Sequence, residues 1–214
     1  RNGDPRDYYR ALGDNEADLS LAQTYGRGLS YLYGNEADKA VGTFMRLRQQ
    51  YPEVMAFHTA LGQAQLATGR TQEALGTLEH ALVLAPRNVP VTVRYGEALL
   101  QAGRAKRAHE VLLDLFNNVP PTQEQIRLTA MAANAAGDVA DAYSYMAEYH
   151  LMGGDLMLAI NQLELALSVP SITDQQRAKF VARLKEVREW LPKERNRSKK
   201  PPDGQAPDGQ RAPG

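Results

Sequence analysis

The chain has 214 residues, 25 Lys plus Arg against 25 Asp plus Glu, and 43% apolar residues. That balance suits a folded protein and gives no net charge with which to recruit nucleic acid or an acidic membrane. It contains no cysteine, which excludes disulfides, thiol catalysis and Cys-based zinc sites, and it has no run near the ~20 apolar residues that span a bilayer. The chain opens on Arg1 rather than methionine and shows no signal peptide. It therefore reads as an excised or processed piece of a longer protein.

The chain aligns with itself every 34 residues. Gly28, Gly62 and Gly96 form one series, Ala40, Ala74 and Ala108 a second, and Pro52, Pro86 and Pro120 a third. A small residue, a second small residue and then proline at this period is the signature of the tetratricopeptide repeat, a helix–turn–helix unit that stacks into a solenoid. The expected fold class is all-α: a right-handed solenoid of such units with a C-terminal capping helix.

In chain order, residues 1–20 form a leading segment in which Asp7–Leu12 predicts a short helix carrying Tyr8 and Tyr9. The repeat array runs over 21–170. Unit one spans Leu21–Val54, unit two Met55–Asn88 and unit three Val89–Thr122. In unit two, Leu61, Leu66, Leu75, Leu78, Ala81 and Leu82 recur at helical spacing and give each helix an apolar face. Gly62 on helix A and Ala74 on helix B are expected where the two helices cross closely. Gly69, Gly103 and Gly137 supply the turns, where glycine adopts positive φ without cost from a Cβ. Pro86 ends helix B, having no amide hydrogen to continue it.

The fourth unit departs from this register. Gly154, Ala159, Leu163 and Ala166 are displaced by half a period, so the helix over 139–152 is expected to serve both as helix B of unit four and as helix A of a fifth unit closed by Leu156–Val169. A capping helix over 171–192 follows. Thr173 and Gln176 make a capping box, Phe180, Val181, Leu184, Val187 and Leu191 form its apolar stripe, and Pro192 stops it. Arg183, Lys185, Glu186 and Glu189 are expected to supply a polar outer face. Residues 193–214 are rich in Pro, Gly and charge, with Pro-Asp-Gly-Gln written twice, a composition that predicts a disordered tail. The basic stretch Lys193–Lys200 reads as a soluble flexible tail rather than an anion-binding arm.

No catalytic constellation is visible. His58, His80, His109 and His150 are spread along the chain, and none pairs with another at metal-ligand spacing. His109-Glu110-Val111-Leu112-Leu113 opens like the zinc-protease motif H-E-x-x-H, but Leu113 stands where the second ligand belongs, so it reads as an ordinary helix segment. His58 and His150 fall at positions expected to pack. The expectation is no enzyme, no metal and no cofactor in this chain.

The remaining functional surface is the concave groove of the A helices. Repeat register places Tyr25, Leu29 and Leu32 there from unit one, and Thr59, Gln63 and Leu66 from unit two. Unit three adds Val93, Glu97 and Leu100, and unit four Arg127, Met131 and Asn134. Repeat domains that grip a chaperone's terminal carboxylate carry Lys and Asn at such positions, and here that clamp is missing. Mixed polar and apolar character suits an extended or partly folded polypeptide.

Two segments go beyond the generic repeat. Ala22-Gln23-Thr24-Tyr25-Gly26-Arg27-Gly28-Leu29, followed by Ala40, resembles the first repeat in the C-terminal domain of BepA (YfgC)-type bacterial metalloproteases. Ala147-Glu148-Tyr149-His150-Leu151-Met152-Gly153-Gly154-Asp155, with Ala159, Gln162, Leu163, Ala166, Leu167 and the later Ala182-Arg183-Leu184, is similar to that family's closing segment. The resemblance covers Asp7 to Leu191. It implies a periplasmic location, an N-terminal H-E-x-x-H protease domain that carries the zinc, and a role in outer-membrane β-barrel assembly and quality control. The implied partners are β-barrel assembly machinery components, unfolded outer-membrane proteins and the parent protease domain, without nucleic acid or membrane insertion. No zinc ligand of that family is present in this chain. The alternative is a stand-alone scaffold for pilus or secretion machinery.

Overall fold

The computed structural model describes residues 5–12 and 19–191. Among these the chain is all-helical, with α1 Pro5–Ala11, α2 Leu21–Tyr33, α3 Ala37–Gln50, α4 Met55–Ala67, α5 Thr71–Leu84 and α6 Val89–Gln101. They are followed by α7 Ala105–Asn118, α8 Gln123–Ala136, α9 Val139–Met152, α10 Leu156–Ser168 and α11 Asp174–Trp190. Each helix packs chiefly on its neighbours in sequence, and α2, α4, α6 and α8 also touch in succession. This is the solenoid expected from the period. The tail over 193–214 and its basic stretch lie outside the described residues.

The helix boundaries follow from local chemistry. Ser20 with Gln23, Thr122 with Gln125 and Thr173 with Gln176 form capping boxes, and Asn88 caps α6. Each satisfies amides that the first helical turn leaves without partners. Helices α3, α5 and α7 each end two residues before Pro52, Pro86 and Pro120, respectively. Gly69, Gly103, Gly137 and Gly154 hold φ of 74°, 72°, 91° and 81° at the intra-unit turns. In unit one the same register position is Asn35, at φ 68°. Asparagine visits the left-handed region more readily than other non-glycine residues, so this turn keeps its register without a glycine.

The core is a string of clusters instead of one centre. Ala40, Val41, Phe44 and Leu47 pack with Phe57, Ala60 and Leu61 at the first joint. Leu75, Leu78, Tyr95, Leu99, Leu112 and Ala132 continue the core through units two to four. Ala147, Leu163, Leu184 and Val187 close it. Helix α9 packs on both α8 and α10, with Ala147 and Leu163 fully buried.

Three sequence expectations need correction. The leading helix is Pro5–Ala11, not Asp7–Leu12. Val181 does not join the buried stripe of α11: it is half exposed while Phe180, Leu184 and Val187 are buried. Arg183 does not belong to a solvated outer face. Its guanidinium lies 2.7 and 2.6 Å from the two carboxylate oxygens of Glu148 on α9, and Glu186 sits 2.7 Å away. The face of α11 turned toward α9 carries Arg183 because Ala182 and Val181 point outward, a rotation that the apolar spacing alone did not fix.

Candidate protein-binding groove

The A helices α2, α4, α6 and α8 line one side of the array. Between α2 and α4, and closed off by the start of α6, lies a hollow of about 420 Å³. Tyr25, Leu29 and Tyr33 form its α2 wall, Met55, Thr59 and Gln63 its α4 wall, and Asn88 and Pro90 its end. Four of the groove residues read from the sequence, Tyr25, Leu29, Thr59 and Gln63, are thus brought together. Tyr33, Met55 and Pro90 were missed. Tyr33 and Met55 lie two helical turns from Tyr25 and Gln63, so extending each stripe by i+4 steps would have found them.

The hollow is closely packed on its aromatic side. Tyr25 packs at 5.7 Å from Phe44 and 5.5 Å from Phe57, ring centre to ring centre. Burial, and secondarily Tyr33, pushes its hydroxyl above the usual phenol range, so it is neutral and able to donate. The Gln63 side-chain amide donates to the Tyr33 hydroxyl at 3.5 Å, a long bond that a ligand can replace. Thr59 turns its hydroxyl back to the Met55 carbonyl at 2.9 Å and presents its methyl side.

The other groove residues are more occupied than the sequence suggests. Leu66 and Leu100 are half-buried against the central cluster, as is Val93. Glu97 holds Arg94 at 2.7 Å within α6. Arg127 bonds Glu124, whose carboxyl its hydrogen bond holds below the usual range, and reaches the Met131 sulfur at 3.4 Å. Met131 and Asn134 are exposed. The charges of Glu97 and Arg127 are therefore each balanced locally by an i,i+3 partner.

The histidines do other work. His109 is buried, with Nδ1 2.9 Å from the Asp138 carboxylate and Nε2 3.3 Å from the Tyr145 hydroxyl, tying α7 to α9. Burial pushes Tyr145 up to about 12, with Asp141 and Asp138 adding to it, so this tyrosine stays protonated. His150 is half-buried beside the Tyr149 ring. His58 and His80, distant in sequence, lie with ring centres 6.1 Å apart, which the spacing along the chain did not indicate. Among the described residues no group of three or more His, Asp or Glu is placed to hold a metal ion. No described helix is long and apolar enough to cross a membrane.

Models of the tetratricopeptide repeat match residues 22–53 and 65–133. Among solved structures, TTC0263, a thermophilic tetratricopeptide-repeat protein of Thermus thermophilus, is 19% identical with a TM-score of 0.51, covering 78% of this chain and 100% of its own. MamA from Desulfovibrio magneticus RS-1 is 16% identical with a TM-score of 0.56, over 87% of this chain and 97% of its own. A tetratricopeptide-repeat protein from Parabacteroides merdae ATCC 43184 is 12% identical with a TM-score of 0.54, over 84% and 76%. No curated protein matches the chain. Repeat register, helix order and these structural likenesses agree: the chain is an all-α solenoid of tetratricopeptide repeats.

Proposed function

We propose that this solenoid is a protein-binding module whose A-helix groove holds an extended or partly folded polypeptide, and that it performs no catalysis itself. The observation that carries the reading is the hollow between α2 and α4. It combines a closely packed aromatic wall with the adaptable amides and hydroxyls of Gln63 and Tyr33. Such a surface buries an apolar side chain while leaving hydrogen-bonding groups for the peptide backbone beside it.

The finer reading is that the module is the non-catalytic half of a BepA-type periplasmic metalloprotease and chaperone, acting on β-barrel assembly components or unfolded outer-membrane proteins. The segments quoted for that resemblance support it. A photoreactive residue in place of Gln63, exposed to periplasmic extract, is expected to capture such a polypeptide, while the same probe at Asn117 on the convex side captures none. Equal capture at both positions rules out the groove. Sequence upstream of Arg1 tests the parentage: an H-E-x-x-H helix there supports the protease, and a lipoprotein start favours a stand-alone scaffold.

A further inference from the structure

Unit two buries an ionisable group at the position where its sister units do not. His58 is 1% exposed on α4, and the residues at the same register in units one, three and four are Thr24, Thr92 and Ile126. Thr24 and Thr92 close on their own helices, donating to the carbonyls of Ser20 and Asn88 at 3.1 and 2.9 Å. His58 instead reaches off its helix, 2.8 Å from the Pro52 carbonyl between α3 and α4. A carbonyl only accepts, so Nε2 carries the hydrogen and the lone pair is on Nδ1. That Nδ1 is buried and has no hydrogen-bond partner among the described residues. The ionisable groups acting on it are Arg48 at the end of α3 and His80 on α5, and both oppose a positive charge. Two histidines under the positive field of a guanidinium do not make a cation site.

We propose that His58 makes the joint between units one and two acid-labile. Neutral imidazole satisfies the Pro52 carbonyl and fits the joint. Proton uptake at Nδ1 adds a buried donor with no acceptor and a charge that Arg48 and His80 both oppose. Opening the joint relieves both. Burial keeps the folded imidazole below its ordinary titration range, with Arg48 and His80 adding to this and the Pro52 bond opposing it. The unfolded or locally opened chain therefore takes up the proton first. Stability at this joint is full above about pH 6.5 and is lost as pH falls from there toward the folded titration point.

Hydrogen exchange of the whole chain, corrected for intrinsic rate, tests this between about pH 7.5 and 5.5, where an ordinary histidine changes charge. Opening of α3, α4 and α5 should rise several-fold and by no more than about tenfold across this window, the ceiling set by one group that ordinarily titrates near 6.5, with α10 and α11 little changed. His58→Thr, the residue used by unit three, should remove the pH dependence. Uniform acceleration along the array, or an unchanged pH dependence in His58→Thr, overturns the proposal. If that variant fails to fold, NMR titration of the wild-type His58 ring decides: an imidazole protonating at or above about 6.5 overturns it.

Discussion

Gly62 of α4 lies against Leu78 of α5 so closely that a Cβ on the glycine would stand 2.7 Å from the leucine's Cγ and Cδ2. The same relationship joins Gly96 to Leu112 and Gly28 to Phe44. In each of these three units the missing side chain on helix A is the space that a fully buried side chain on helix B fills. By contrast, a Cβ at Gly42 or Gly76 on the exposed faces of α3 and α5 meets nothing within 4 Å.

These two kinds of glycine should respond oppositely to substitution. Gly96→Ala forces Leu112 off its rotamer and should cost about 1–3 kcal/mol, with Gly96→Leu costing more. Gly76→Ala should stabilise by about 0.4–1 kcal/mol, because it removes backbone freedom from the unfolded chain without a clash. Thermal melts of the three variants give the ranking, and an unchanged midpoint for Gly96→Leu contradicts the packing.

The turn register makes a separate demand. Asn35, at φ 68°, occupies the position taken by Gly69, Gly103 and Gly137. Asn35→Ala should destabilise by up to about 1 kcal/mol, because alanine lacks the short polar side chain that lets asparagine tolerate the left-handed region. Asn35→Gly should be neutral or better. Urea titrations compare them, and equal midpoints for Ala and Gly would mean the turn relaxes to another conformation.

At the far end, Arg183 clamps α11 to α9 through Glu148 and stands 5.2 Å over the Trp190 ring. The guanidinium is about a third exposed, so the clamp is screened and worth no more than about 1 kcal/mol. Arg183→Ala should speed hydrogen exchange in α11 while leaving α2–α5 unchanged, since solenoid units couple mainly to their neighbours. Arg183→Lys should restore little, lacking the two-pronged geometry. Exchange spreading to α2 would contradict this locality.

Along the groove, Glu97 and Arg127 are each half of a local pair. Replacing both with Ala should change stability by less than about 0.5 kcal/mol. It should nevertheless weaken crosslinking of a bound polypeptide, because it leaves Arg94 and Glu124 with their charges unbalanced on the groove. Pull-down yields set against the convex pair Arg107→Ala/Glu110→Ala give the comparison. Equal loss from both pairs indicates a general charge effect.

The sequence by itself determined the architecture. A 34-residue period of small residues, turn glycines and prolines fixes where helices start, stop and cross, because caps, positive φ and a missing amide act within a few residues of chain. It also made Tyr25, Leu29 and Gln63 legible as one face. Only the tertiary structure decided which residues meet across units. It gave Leu78 and Leu112 as the occupants of the glycine gaps, placed Tyr33 and Met55 in the hollow, and turned Arg183 inward toward Glu148. It also brought the His58 and His80 rings together. Those pairings depend on the rotation of each helix about its own axis and on the stacking angle between units. Both are settled by side-chain packing between helices, which a periodic pattern constrains only to a face.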